Sequence, residues 1–309
     1  MKRLFSTILG LVMILSMHAQ YTSQIALCPV VEDATETFPD AAKTQLTNKL
    51  VQILTSNGVA SSDYMGQFII AAFAVPQEKD ILAGPPMMIL EKVEMNLYIA
   101  DYTNKVIFAS TTIDSKGSGK TEDRSYLNAI SRMNPKADKV AAFVKEGLAK
   151  IVAYYDAEAE NMIKKANALA KMKKYEEALY LTTSIPSQCK KYDEALKATT
   201  TIYQQYIDQL CQENLAQARM AWAQQQNATG AAAAGEYLAN IYPDAACYGD
   251  AMALYKEIKG KVLDDWKFEM KKYQDSVDLE SQRINAAREV GVAYGKGQQP
   301  TTTNIGFLR

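Results

Sequence analysis

The chain has 309 residues, of which 48% are hydrophobic, 22% charged and 9% aromatic, a globular composition that excludes a wholly disordered or fibrous protein. Its formal net charge is −1 at pH 7, and it lacks the concentrated basic face that nucleic-acid binders carry. The one histidine, His18, falls inside a predicted leader, so Ser-His-Asp or Cys-His catalysis, His-ligated metals and a histidine pH switch are not expected of the mature chain.

Lys2 and Arg3 precede an apolar run from Leu4 to Leu15, and Ala19 offers a small residue before Gln20. This is the pattern of a cleaved secretory signal over 1–19, with the bulky Met17 its least typical position. The run is shorter than the roughly 20 residues that span a bilayer, and no later stretch of that length is free of charge. The expectation is an exported protein, periplasmic or outer-membrane-associated. Lipidation at Cys28 would need a smaller residue than Leu27 before it, so a buried strand position is the preferred reading. Cys28, Cys189, Cys211 and Cys247 contain no C-x-x-C, which disfavours a metal knuckle or redox motif. An oxidising compartment permits a bridge, expected among the three in the helical half.

Residues 20–155 read as an α/β unit. Ile25, Ala26, Leu27, Val30 and Val31 form a first strand, and a helix from Pro39-Asp40 repeats Leu46, Leu50, Ile53 and Leu54 on one face until Asn57-Gly58. A strand at 68–75 follows, then 90–100 with Val93, Met95, Leu97 and Ile99 alternating, a turn at 101–105 and a return strand at 106–113. Helices then start near Glu122 and after Pro135. Asp114-Ser115-Lys116-Gly117-Ser118-Gly119-Lys120-Thr121 imitates a phosphate-binding loop. Asp114 stands where that motif requires glycine, so a solvated loop capped by Thr121 is predicted instead.

This order of elements, with the opening Ile25-Ala26-Leu27-Cys28-Pro29-Val30, the turn from Asp101 to Lys105, and Gly117-Ser118-Gly119 before Asn128-Ala129-Ile130, resembles the small envelope α/β domain of the curli-secretion lipoprotein CsgG, the LpoB-type activators of penicillin-binding proteins and the amino-terminal part of TolB. The resemblance implies an envelope binding module, not a catalyst. It departs from CsgG in lacking membrane hairpins and from TolB in leaving no room for a propeller.

Residues 156–261 pair Glu160-Asn161-Met162 with Glu213-Asn214-Leu215, Pro186 with Pro243 and Tyr192 with Tyr248. That is a drifting repeat of helical hairpins. Tyr175-Glu176-Glu177-Ala178-Leu179 looks like tetratricopeptide packing, which would leave a groove for a protein partner. From 262 to 294, Trp266, Met270, Tyr273, Val277, Glu280, Ile284, Ala287, Gly291 and Tyr294 recur at alternating steps of four and three, predicting one helix of about 30 residues that pairs with another chain or folds back on the array. Residues 295–309 read as a mobile tail or docking peptide.

The sequence therefore predicts an α+β chain: a sandwich-type α/β domain, an all-α TPR-like array and a long C-terminal helix. Its predicted role is non-enzymatic binding of envelope proteins, through the partner-binding anchors Trp222, Tyr237, Trp266, Met270, Tyr273, Val277 and Ile284, with a homo-oligomer through the last helix. No catalytic, cofactor or metal residue is assigned. The alternatives are a carboxylate-dependent glycan enzyme, for which Glu32, Asp33, Glu36 and Asp40 single out no pair, and a secretion component with membrane-facing strands.

Overall fold

The computed structural model describes residues 25–31, 38–62, 67–262, 266–272, 279–298 and 305–308. The predicted leader, the acids Glu32, Asp33 and Glu36, and the anchors Tyr273 and Val277 lie outside them.

A five-stranded mixed sheet begins the fold, in the order β2-β1-β3-β4-β5. Strand β1 (Ala26–Val31) runs parallel to β2 (Ala60–Ser61) and to β3 (Phe68–Leu82), whereas β3, β4 (Met88–Asp101) and β5 (Val106–Gly119) are antiparallel. Helices α1 (Asp40–Ser56), α2 (Glu122–Ser131) and α3 (Asp138–Lys171) cover one face. Leu27, Ile70, Ala72, Met95, Leu97 and Ile99 meet Leu46, Leu50, Ile130 and Phe143 in a single core there. The predicted end of α1 holds: Gly58 takes φ +68°, the left-handed conformation that glycine enters without steric cost.

The opposite face of β3 is apolar too. Because strand side chains alternate, Ile69, Ala71 and Phe73 point away from the helices, with Cys28, Ala100 and Tyr102 beside them. Ile305 and Leu308, in and beside a 3-10 turn (Gly306–Leu308), bury themselves on this surface at 0% and 3% exposure. Lys105 lies 3.8 Å from the Tyr102 ring centroid and 4.8 Å from that of Phe307. Of the two roles predicted for the tail, residues 305–308 take the docking one, inside the same chain.

The predicted loop at 114–119 is strand. Its residues complete β5, pairing Asp114 with Glu94 and Gly119 with Ile89. The glycines serve helix packing: a Cβ on Gly117 would sit 2.0 Å from the Ser125 carbonyl oxygen, and one on Gly119 would sit 2.6 Å from the Ser125 nitrogen. Thr121 caps α2 as expected, accepting from the Arg124 N–H at 3.4 Å.

Helix α3 continues without a break past residue 155, so the sheet domain and the array share it. The array adds α4 (Tyr175–Thr183), α5 (Tyr192–Gln224), α6 (Ala228–Leu238) and α7 (Tyr248–Val262). Buried Tyr155, Ala159, Ile163 and Ala166 of α3 recur as Ile207, Cys211, Leu215 and Ala218 of α5, which sets the repeat one residue away from the Glu160-to-Glu213 alignment. After the short helix, Ile185, Cys189 and Ala195 recur as Ile241, Ala245 and Ala251 at an offset four residues larger. Four residues are close to one helical turn, so the insertion keeps the buried face. The same carboxylate device closes both units: Asp156 accepts from the Lys190 N–H and Asp208 from that of Ala246, each at 2.7 Å. A unit whose first helix alone has 34 residues is longer than the 34-residue helix-turn-helix of tetratricopeptide arrays.

The continuous helix predicted over 262–294 is not formed. Helix α7 ends at Val262, residues 266–272 are a non-helical strap, and α8 (Leu279–Gly297) begins afresh. Trp266, Phe268 and Met270 alternate, and all three pack inward on the array. Helix α8 folds back on α4. A Cβ on its buried Gly291 would come within 2.6 Å of Thr183 Oγ1, and Tyr294 lies 5.9 Å from Tyr180 between ring centroids. Of the described positions of the predicted seam, Trp266, Met270, Ala287, Gly291 and Tyr294 are thus used within the chain.

Candidate partner-binding cleft

The predicted anchors fall into three environments. Trp222 is 3% exposed, donates its indole N–H to Glu257 Oε1 at 2.9 Å and lies under Lys261. Trp266 and Met270 belong to the strap, and half-buried Ile284 lies on α8. Tyr237 is 37% exposed on α6. Trp222, Trp266 and Met270 are brought into one core, where they hold the fold together.

The strap shows how the array holds an extended segment. Trp266 stacks on Phe268 at 5.2 Å and packs against Tyr255 at 5.4 Å, over Gly235 of α6. Tyr255 donates its hydroxyl to the Phe268 carbonyl at 3.2 Å and Tyr248 to that of Lys271 at 2.7 Å. The strap's backbone acceptors are met by tyrosine hydroxyls and its side chains by aromatic faces, which is recognition by shape and main-chain hydrogen bonds.

A second concavity of the array is open. A cleft of about 350 Å³ lies where the α3–α4 turn, the start of α4, the middle of α5 and the end of α8 converge, and Lys173, Lys174, Tyr175, Tyr206, Gln209 and Tyr294 are among its walls. Its volume is within the range of ligand pockets. The turn is a Schellman motif: the Lys173 N–H bonds the Ala170 carbonyl and the Lys174 N–H that of Leu169, both at 2.9 Å, with Lys173 at φ +60° where glycine is usual. Tyr175 and Tyr206 are tilted together at 6.1 Å. Burial first, and then the neighbouring Glu176 carboxylate to which it hydrogen-bonds, raise the Tyr206 hydroxyl above its usual range, so it stays a donor. Gln209 gives its amide N–H to Glu213 at 2.7 Å, while its Oε1 is buried with no partner among the described residues. A buried amide oxygen left unpaired costs about 1–3 kcal/mol. Sequence reasoning noted Tyr175 and Tyr294 separately; nothing in their spacing could join them to Gln209, since three helices must converge first.

The junction between sheet and array is held by a buried carboxylate. Asp101, 0% exposed at the end of β4, accepts from the Asn104 N–H and amide at 2.8 Å each, and from the Tyr155 hydroxyl of α3 at 2.5 Å. Gln67 donates to both Asp101 and Tyr155. Burial and then the Asp101 charge push the Tyr155 hydroxyl far up, keeping it protonated. Tyr180 of α4 reaches across to Thr103 at 3.0 Å. A smaller cavity of about 210 Å³ opens here, with Tyr154, Glu158, Lys165 and Tyr180 in its walls.

One carboxylate pair has divergent surroundings. Glu91 of β4 is 1% exposed with Oε1 unpaired among the described residues; burial, then the Glu122 charge, raise its pKa. Glu122 is lowered by the Lys79 ammonium at 2.5 Å and also takes the Tyr126 hydroxyl at 3.2 Å. Neither acid lines the adjacent cavity of about 630 Å³.

Cys211 and Cys247 form a disulfide tying α5 to the loop before α7, and Cys28 and Cys189 are buried thiols. Among the described residues no helix is long and apolar enough to cross a membrane. These features define a mixed α/β sheet domain joined through one shared helix to a duplicated helical array with an occupied groove and an open cleft.

Among solved structures, the chain is similar to a minor lipoprotein from Acinetobacter baumannii, at 20% identity and a TM-score of 0.23 over 41% of this chain and 93% of that one. It is also similar to a PelC dodecamer from Paraburkholderia phytofirmans, at 17% identity and a TM-score of 0.25 over 40% of this chain and 91% of that one. No protein-family model matches the chain, and no curated protein does.

Proposed function

We propose that this chain is an exported, non-catalytic binding protein of the cell envelope that receives an extended segment of a partner protein in the cleft at the start of α4. The observation that carries the reading is a tyrosine-walled cleft lined by Gln209, whose Oε1 is buried without a partner among the described residues, in an array that already holds its own strap by tyrosine hydroxyls and rings. An incoming peptide carbonyl meets the Tyr294 hydroxyl, and a peptide N–H satisfies Gln209 once the side chain turns its Oε1 into the cleft. Export is supported by the basic-then-apolar leader and by the Cys211–Cys247 bridge, which persists in oxidising compartments. The non-catalytic reading is supported by the sequence having no histidine beyond residue 18.

The test places a photo-crosslinking residue at Tyr294 in the full chain within its native envelope, reads the crosslinked partner segment by mass spectrometry, and titrates the corresponding synthetic peptide against the purified protein. Gln209→Leu should weaken that peptide about tenfold, the cost of one buried hydrogen bond. Equal binding to wild type and variant, or crosslinks scattered over unrelated proteins with no peptide that binds, would reject the cleft as the site.

A further inference from the structure

We propose that the tip of the β3–β4 hairpin docks on the surface of an anionic lipid bilayer, seating its apolar side chains among the headgroups and setting Lys120 and Arg124 against lipid phosphate. The proposal is independent of the cleft. From Ile81 to Leu90 the chain reads Ile-Leu-Ala-Gly-Pro-Pro-Met-Met-Ile-Leu, ten residues without a charge or a polar side chain. Every residue from Glu78 to Met87 is exposed, with Ile81 at 63%, Leu82 at 50% and Met87 at 54%. These three are among the most exposed large hydrophobic side chains of the described residues, and they sit together where β3 and β4 pair Ile81 with Ile89 and Leu82 with Met88. Clustered exposure of this kind marks an interaction surface, whereas isolated apolar residues do not.

Charge identifies the occupant. Immediately beside Met88 opens the cavity of about 630 Å³, walled by Gly119, Lys120, Arg124 and Asn128 at the N-terminus of α2. Neither Lys120 nor Arg124 has an ion-pair partner among the described residues. Of the acids in that turn, Glu122 is taken up by Lys79 and Tyr126, and Asp123 is exposed. Two available cations beside the start of a helix suit a phosphate. An apolar projection bordered by an open cationic cavity matches the two halves of an anionic phospholipid.

Length limits the mode. At about 3.3 Å per strand residue, the two or three uncharged residues at the end of each strand extend about 10 Å beyond Asp80. That fits the roughly 5–10 Å depth of interfacial insertion and falls well short of a hydrocarbon core of about 30 Å.

The experiment floats the full exported chain with vesicles of phosphatidylethanolamine and phosphatidylglycerol (3:1) and with pure phosphatidylcholine vesicles, in low and high salt. Wild type should rise with the anionic vesicles and be released by salt, and Leu82→Glu with Met87→Glu should lower partitioning at least about tenfold, the scale of burying one large apolar side chain. Lys120→Glu with Arg124→Glu should abolish the preference for phosphatidylglycerol. All four side chains are at the surface, so thermal unfolding of both variants should match wild type, which separates lost docking from lost folding. Failure of wild type to float, or flotation that the tip variant leaves unchanged, would overturn the proposal. So would wild-type self-association that the tip variant removes in the absence of vesicle binding, because the tip would then belong to a second copy.

Discussion

Asp101 is the residue on which the sheet–array junction turns. Its carboxylate gathers Asn104, Tyr155 and Gln67, from the β4–β5 turn, α3 and the approach to β3. Asp101→Ala would leave those donors buried and unpaired, and should destabilise the protein by about 3 kcal/mol in denaturant titrations. Tyr155→Phe removes one donor and should cost only about 1 kcal/mol; equal losses for the two would mean that the carboxylate does not organise the network. Lys173 raises the opposite case. A lysine held at φ +60° carries a steric penalty of about 1–2 kcal/mol that glycine avoids. Lys173→Gly should therefore raise the midpoint of thermal unfolding by a few degrees while removing a cation from the cleft wall. Glu91 gives a pH signature. Its folded pKa is raised, so its contribution to stability is present below the unfolded carboxylate range and is lost as pH rises through the folded value. Glu91→Gln should flatten that decline and stabilise the protein at neutral pH, as a comparison of unfolding at pH 4 and pH 7 would report.

At the scale of elements, glycine shows how much the sequence discloses. Gly117 and Gly119 looked like loop residues because glycine is depleted from strands; they are strand residues because Ser125 and Ala129 of α2 come too close for any Cβ. Gly117→Ala should be strongly destabilising, since the obstruction is backbone. Gly260→Ala, with nothing within 4 Å of the added carbon in the last turn of α7, should stabilise modestly, by at most about 1 kcal/mol. Circular-dichroism melts of the pair test the packing assignment directly. The core strands, α1 and the Thr121 cap were legible because burial follows periods of 2 and 3.6 residues that need no partner to be read. The strap was not: Trp266 and Met270 satisfy a heptad step, but with Phe268 they also satisfy strict alternation, and the choice was made by the array surface that covers them. Strand β3 carried an unread signal as well. Seven successive buried residues from Phe68 to Ala74 demand a cover on both faces, and the second cover lies more than 230 residues away in sequence, in Ile305 and Leu308.

Over the whole molecule, two of the ties between distant segments differ in kind. The C-terminal residues close the back of the first sheet, and the Cys211–Cys247 disulfide closes a separation of 36 residues within the second helical unit. The first unit has no counterpart bridge: Ala159 and Lys191 occupy the related positions, and Cys189, which aligns with Ala245, is a buried thiol that burial pushes up to about 11, which makes it a poor nucleophile for exchange. Cross-linking a chain segment of that length removes about 4 kcal/mol of unfolded-state freedom in the loop-entropy picture. Reduction should therefore weaken α5–α7 and the strap they carry more than the sheet domain, whose core contains no disulfide. Hydrogen exchange with and without reductant reads this by region. Protection should fall first in α6, α7 and around Trp266, and should persist in β3, β4 and α1. Because α8 packs on α4 of the first unit, the cleft wall at Tyr294 should survive reduction. Loss of protection spread evenly from β1 to α8 would instead mean that the shared helix α3 couples both halves into one cooperative unit, in which case reduction would also empty the cleft.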